Sequence, residues 1–136
     1  MWLKNFPFPP SDNKLHRNGR RPNQRFKTKE YLKFLELVED YAMFAQKELE
    51  QPRRLSIANK RFSVKVDCYF ERSLLITKKR TFKRIDAQNR LKALLDALAS
   101  LMYCDDSTFW RVSVEKKVSQ RNESYTDIYL EEYLEQ

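Results

Sequence analysis

The chain has 136 residues, a length that fits one domain around one core, and its 41% hydrophobic and 13% aromatic content supplies that core despite 34% charged residues. A formal charge of +8 points to a polyanionic partner. The single glycine, Gly19, excludes a Walker loop or a dinucleotide-binding loop, so no nucleotide cofactor is expected.

In chain order, Trp2 to Phe8 reads as a first strand, ended by Pro7, Pro9 and Pro10, which have no N–H to give a ladder. A basic loop over 11–27 follows. From Thr28, an N-cap residue type, Tyr31, Leu35, Val38, Tyr41, Ala42, Ala45 and Leu49 recur at helical spacing until Pro52, predicting a first helix of about six turns. Residues 62–70 switch to period two, with Phe62, Val64, Val66, Cys68 and Phe70 on one face and Ser63, Lys65, Asp67 and Tyr69 on the other. Leu91, Leu94, Leu95, Leu98, Leu101 and Met102 form the apolar stripe of a second helix. Strands over Thr108–Lys117 and Tyr125–Glu131, joined by a polar turn, complete the order β-α-β-α-β-β. The expected fold is α+β, one domain over 1–136 with a small mixed sheet of about four strands and two helices packed on it.

Cys68 and Cys104 have no CxxC spacing and only His16 to complete a zinc set, so no zinc site is expected and Cys68 reads as a small core residue. There is no apolar run of about 18 residues and no signal-peptide core, which places the expected location in the cytoplasm and away from membranes. Trp2, Phe109 and Trp110 read as core residues rather than base-stacking platforms.

Charge is segregated along the chain. Residues 13–29 hold Lys14, Arg17, Arg20, Arg21, Arg25, Lys27 and Lys29 with no acid, and residues 78–92 hold Lys78, Lys79, Arg80, Lys83, Arg84, Arg90 and Lys92 against Asp86 alone. This pattern favours a basic face. The stretch from Lys83 to Asp106 adds carboxylates to cations. Helical periodicity puts Gln88, Lys92 and Asp96 on one flank of the second helix, with Asp86 at its start and Asp105 and Asp106 just beyond its end. A metal-dependent nuclease needs this mixture, because a hard divalent cation wants carboxylate oxygens and phosphates want cations. Each residue also has a plainer reading: Asp86 as an N-cap, Lys92 and Asp96 as a surface pair, Asp105 and Asp106 as a turn. A non-catalytic nucleic-acid-binding module and a self-associating interaction domain fit the same charge map.

The string Arg84-Ile85-Asp86-Ala87-Gln88-Asn89-Arg90-Leu91-Lys92, then Asp96-Ala97-Leu98 and Asp105-Asp106, resembles the signature of the RusA family of Holliday junction resolvases, D-x-D-N-x-x-K-x-x-x-D-A-L followed by D-D before a strand. Pro9-Pro10-Ser11-Asp12-Asn13 is similar to the P-P-S-x-N opening of that family. The resemblance implies a homodimeric endonuclease of branched DNA, dependent on Mg²⁺ with Mn²⁺ as a substitute, in a bacterial or phage-infected bacterial cell. It implies Asp86 and Asp106 as metal ligands, with Gln88 and Asp105 completing the set, and Lys92 as the catalytic cation. Asn13, Lys14, Arg17, Arg20, Arg21, Arg25, Lys79, Arg80, Lys83, Arg84 and Asn89 would contact DNA. Two positions depart from the family pattern. Gln88 replaces the second motif aspartate, removing one unit of charge from the expected metal site, and Ile85 stands where a basic or small residue is usual.

Overall fold

The computed structural model describes residues 1–76, 78–81 and 87–135. The period-two segment forms the central strand β4 (Phe62–Phe70) of a four-stranded sheet ordered β1-β6-β4-β5. Around it, β6 (Tyr125–Glu132) is antiparallel to both β4 and β1 (Trp2–Phe6), and β5 (Phe109–Val118) is parallel to β4. The register sets Val66 beside Ile128 and Val114 on one face, and Asp67 beside Asp127 and Glu115 on the other. The parallel β4–β5 pair requires a crossover. That excursion comprises a one-turn helix α3 (Arg72–Leu75), a 3-10 turn at Ala87–Arg90 and helix α4 (Leu91–Met102).

The first strand stops at Phe6, before the expected Phe8, because Pro7 cannot extend the ladder, and the left-handed Asn5 (φ 60°) falls at the register shift between Leu3 and Phe6. The first helix is two. Helix α1 (Lys29–Phe44) opens on Thr28, whose side chain accepts a hydrogen bond from the Tyr31 N–H at 3.2 Å, and breaks at Ala45, whose N–H forks to Tyr41 and Ala42 carbonyls. Helix α2 (Gln46–Ile57) then runs through Pro52, where a stop was expected. Pro52 removes one backbone bond, but it is buried with Leu49, and packing against α4 and β1 sustains the helix.

The expected basic loop contains a 3-10 turn (Asp12–Lys14) and a two-stranded hairpin, β2 (His16–Asn18) with β3 (Arg25–Lys27), pairing Arg17 with Phe26. Helices α1, α2 and α4 pack on one face of the main sheet. Phe34, Val38, Leu49, Leu94 and Leu98 meet Leu3, Phe6, Val64, Val66 and Ile128 there in one core, with Cys68 fully buried as expected. Trp2 and Trp110 are not core residues. They are 43% and 55% exposed, Trp2 leaning on Tyr129 on the other sheet face and Trp110 on Tyr133 and Arg61. Phe109 packs partly buried against Phe62.

Candidate active site

Helix α4 carries its apolar stripe inward, with Ala93, Leu94, Ala97 and Leu98 buried, and thereby turns Lys92 and Asp96 to solvent one helical turn apart. Both are exposed, and no salt bridge joins them among the described residues. Gln88 does not share their helical phase. It lies in the 3-10 turn ahead of α4, exposed beside exposed Asn89, so the flank expected for Gln88, Lys92 and Asp96 is continuous only from Lys92 onward. Asp86, Lys83 and Arg84 lie outside the described residues.

The far end of α4 is closed by Tyr103 in the left-handed conformation (φ 59°). The Cys104 N–H reaches the Ala99 carbonyl at 3.0 Å and the Tyr103 N–H the Ser100 carbonyl at 3.3 Å, a Schellman closure. Arg53 of α2 reinforces it, donating from Nε to the Leu101 carbonyl at 2.8 Å while lying 4.3 Å over the Tyr103 ring. This closure aims the chain into Asp105, whose carboxylate caps the 3-10 turn Asp106–Thr108 by accepting from the Ser107 N–H at 2.9 Å. The turn folds back against α4.

Three carboxylates consequently share one electric field. The Asp106 carboxyl is pushed above the usual carboxylate range, first by its hydrogen bond with Asp105, then by partial desolvation and by the negative charges of Asp105 and Asp96. The Asp105 carboxyl is held below that range, chiefly by the Ser107 N–H and hydroxyl. The two carboxyls are driven apart in this way, the response of like charges set side by side. Oxygen donors of this kind suit a hard divalent ion. Among the described residues no group of three histidine, cysteine or acidic side chains is assembled tightly enough to hold a metal by itself.

On the other side of the 87–90 turn, Arg90 lies 5.1 Å over Phe8 and 5.9 Å over Phe70, and its Nη1 donates to the Pro9 carbonyl at 3.1 Å. Burial lowers its pKa, with Cys68 and Asp12 opposing. In the sequence Arg90 is only one more cation in a basic run. It fastens the Pro9–Pro10 connection to the 87–90 turn, and the Asp12–Lys14 turn packs on the same turn and on α4. This brings exposed Asn13 and Lys14 to the candidate site. Beyond them the hairpin presents Arg17, Arg20 and Arg21, all exposed, around an open cleft of about 580 Å³ lined in part by Phe26, and Arg25 lies exposed on β3. Phe26 is 43% exposed with Arg17 5.5 Å over its ring, a feature that the sequence offers only as an aromatic within a charged loop. Lys79 and Arg80 sit exposed in the turn after α3.

Comparison with individual curated proteins finds no match. The family model described as endodeoxyribonuclease RusA matches residues 7–129, from the proline connection through most of β6. A match of that extent takes in the hairpin, the 87–90 turn, α4 and the Asp105–Asp106 turn in their expected order, and the chain belongs to the RusA endodeoxyribonuclease family.

Proposed function

We propose that the chain is a single-domain, metal-dependent endodeoxyribonuclease that nicks four-way DNA junctions in the cytoplasm of a bacterial or phage-infected cell, working as a homodimer. Family membership over residues 7–129 is the observation that carries this reading. Asp86, Asp106, Asp105 and the Gln88 carbonyl are the groups that would hold Mg²⁺, or Mn²⁺ in its place. A cation held there would offset the mutual repulsion that helps to raise the Asp106 carboxyl. When bound, it supplies polarisation of the phosphoryl oxygen and a lowered pKa for the attacking water. The protein's own groups do the rest. Lys92 offsets negative charge developing on the phosphate. The hairpin arginines, with Lys14, Lys79 and Arg80, hold backbone phosphates, and Asn13 and Asn89 add polar contacts. A junction with two-fold symmetry needs paired cuts, which a two-fold dimer with two identical sites supplies.

The test is a labelled four-way junction incubated over a range of Mg²⁺ and Mn²⁺ concentrations, with Asp86→Asn alongside. Cleavage that requires both the metal and Asp86 is expected. Binding without metal-dependent cutting would replace this reading with that of a junction-binding protein in which Gln88 has cost the metal site its function.

A further inference from the structure

The hairpin of β2 and β3 is braced more firmly than phosphate contact alone requires. Its strands are three residues each, too short to be stable in isolation, so the rest of the chain must hold them. At the base, the Thr28 N–H donates to the carbonyl of fully buried Leu15 at 3.0 Å, and His16 sets its ring edge-on to buried Tyr31 at 5.7 Å. The Tyr31 phenol is raised by burial and then by the negative charge of Asp96, which puts the hairpin base within the field of that α4 carboxylate.

The tip is braced as well. The Gly19 N–H donates to the Gln24 carbonyl at 2.7 Å, the Gln24 N–H to the Arg21 carbonyl at 3.2 Å, and the Arg21 N–H to Gln24 Oε1 at 3.2 Å. The one glycine of the chain stands here for room, since its φ is not positive: a side chain at Gly19 would collide with the Gln24 carboxamide and have to expel it. On this frame Phe26 is the only phenylalanine, tyrosine or tryptophan between Phe8 and Tyr31. It is 43% exposed and belongs neither to the core nor to the residues packed against it. Among the described residues its ring meets one cation, Arg17 at 5.5 Å, at the edge of the open cleft that Arg20, Arg21 and Gln24 also line. Phosphates need cations and have no use for a ring. A nucleobase has a π-face to lay on one, and cations beside the ring then take the phosphate of the same nucleotide.

We propose that Phe26 is a stacking platform for a nucleobase freed at the branch point of DNA, and that this contact makes the chain prefer branched DNA over duplex. In a duplex every base is stacked on both sides and offers the ring nothing. At a four-way branch the bases flanking the crossing lose a stacking neighbour, and turning one out costs least there. Arg17 stays beside the stacked base, and Arg20 and Arg21 hold the phosphates on either side of it. The arginines thus supply affinity for any DNA, and Phe26 supplies the discrimination between its forms. This assignment names what the hairpin recognises and rests on the reading of the chain as a junction endonuclease.

Gel shifts in EDTA, where a metal-dependent nuclease binds without cutting, test it on a four-way junction and on a linear duplex of the same arm sequence. The proteins are the wild type, Phe26→Ala, Phe26→Leu and Phe26→Trp. Alanine and leucine are expected to raise the junction Kd by at least about fivefold and leave the duplex Kd unchanged, and tryptophan to bind the junction as the wild type does. Leucine keeps apolar bulk without a π-face, so it decides the matter even if alanine loosens the hairpin. A junction with abasic nucleotides flanking the branch point is expected to weaken the wild type by a similar factor and Phe26→Ala no further. Equal losses on junction and duplex, a leucine variant that binds as the wild type does, abasic and Phe26→Ala losses that multiply, or a wild type that does not distinguish the two DNAs would overturn the proposal. Metal-dependent cleavage is scored apart: a junction cut by a protein whose selectivity ignores Phe26 removes the platform and leaves the enzyme, and Phe26-dependent selectivity without cutting does the reverse.

Discussion

Gln88 and Lys92 are one turn apart in sequence and belong to different backbone geometries, and their expected effects differ accordingly. Gln88→Asp returns one negative charge to the 87–90 turn, and the Mg²⁺ concentration for half-maximal cleavage is expected to fall several-fold. An unchanged metal requirement would show that the glutamine is not what limits the site. Lys92→Ala is expected to lower cleavage by at least about a hundredfold, on the scale of one lost group that stabilises transition-state charge, with junction binding in a gel shift largely kept. The two thiols give an independent check on the packing around this region. Burial pushes the Cys68 thiol up to about 12, whereas Cys104 is only partly buried. Folded protein at pH 8 is therefore expected to yield one reactive thiol to a chromogenic disulfide, and two after denaturation. Two fast-reacting thiols in the folded chain would contradict the core placement of Cys68.

At the scale of elements, the crossover is held at both ends by arginines from outside α4 or at its edge. Arg53→Ala removes a hydrogen bond to the Leu101 carbonyl and the contact with the Tyr103 ring. It is expected to cost about 1–2 kcal/mol in urea unfolding and to loosen the aim of the Asp105–Asp106 turn. Replacing Arg20 and Arg21 together by alanine is expected to weaken junction binding and flatten its logarithmic salt dependence by up to about two units, leaving the melting temperature nearly unchanged. A salt slope equal to wild type would take the hairpin out of the DNA contact. These elements were unequally legible in the sequence. Strand β4 could be read directly because its alternation of apolar and polar residues is the physical signature of a sheet with one dry face. The hairpin could not, since three-residue strands of mostly charged, exposed residues carry no alternation. The break at Ala45 had no local signal, alanine being the best helix former, and Pro52 gave a false stop because tertiary burial outweighed one lost hydrogen bond. Within the site, the motif named Asp105, Asp106 and Lys92, but the nearness of Asp96 to Asp106 depends on a turn folding back on a helix. No sequence spacing encodes that.

For the molecule as a whole, stability should depend on alkaline pH more than on any one surface charge. Burial holds both Cys68 and Tyr41 up to about 12, from ordinary values of 9.0 and 10.0, with Glu48 and Asp127 adding to the effect on Tyr41. In the unfolded chain both groups release protons from about pH 9, while in the folded chain they keep them. The stability these groups contribute is thus complete below about pH 9 and is lost as pH rises toward 12. Melting temperature is expected to be nearly constant from pH 7 to 9 and to decline beyond it, and a flat profile to pH 11 would show that the two groups are hydrated. The parallel pairing of β4 with β5 has a kinetic consequence too. Closing that pair means closing the whole excursion over 71–108, which carries every candidate metal ligand and Lys92, and long-range parallel pairing is intrinsically slow. Until that excursion closes, the candidate metal ligands and Lys92 stay apart along an open loop, whereas the basic run over 14–29 carries its charge from the outset. A nascent or partly refolded chain would therefore carry its basic charge before its candidate site is assembled, so that DNA binding is expected to return ahead of cleavage in a refolding time course.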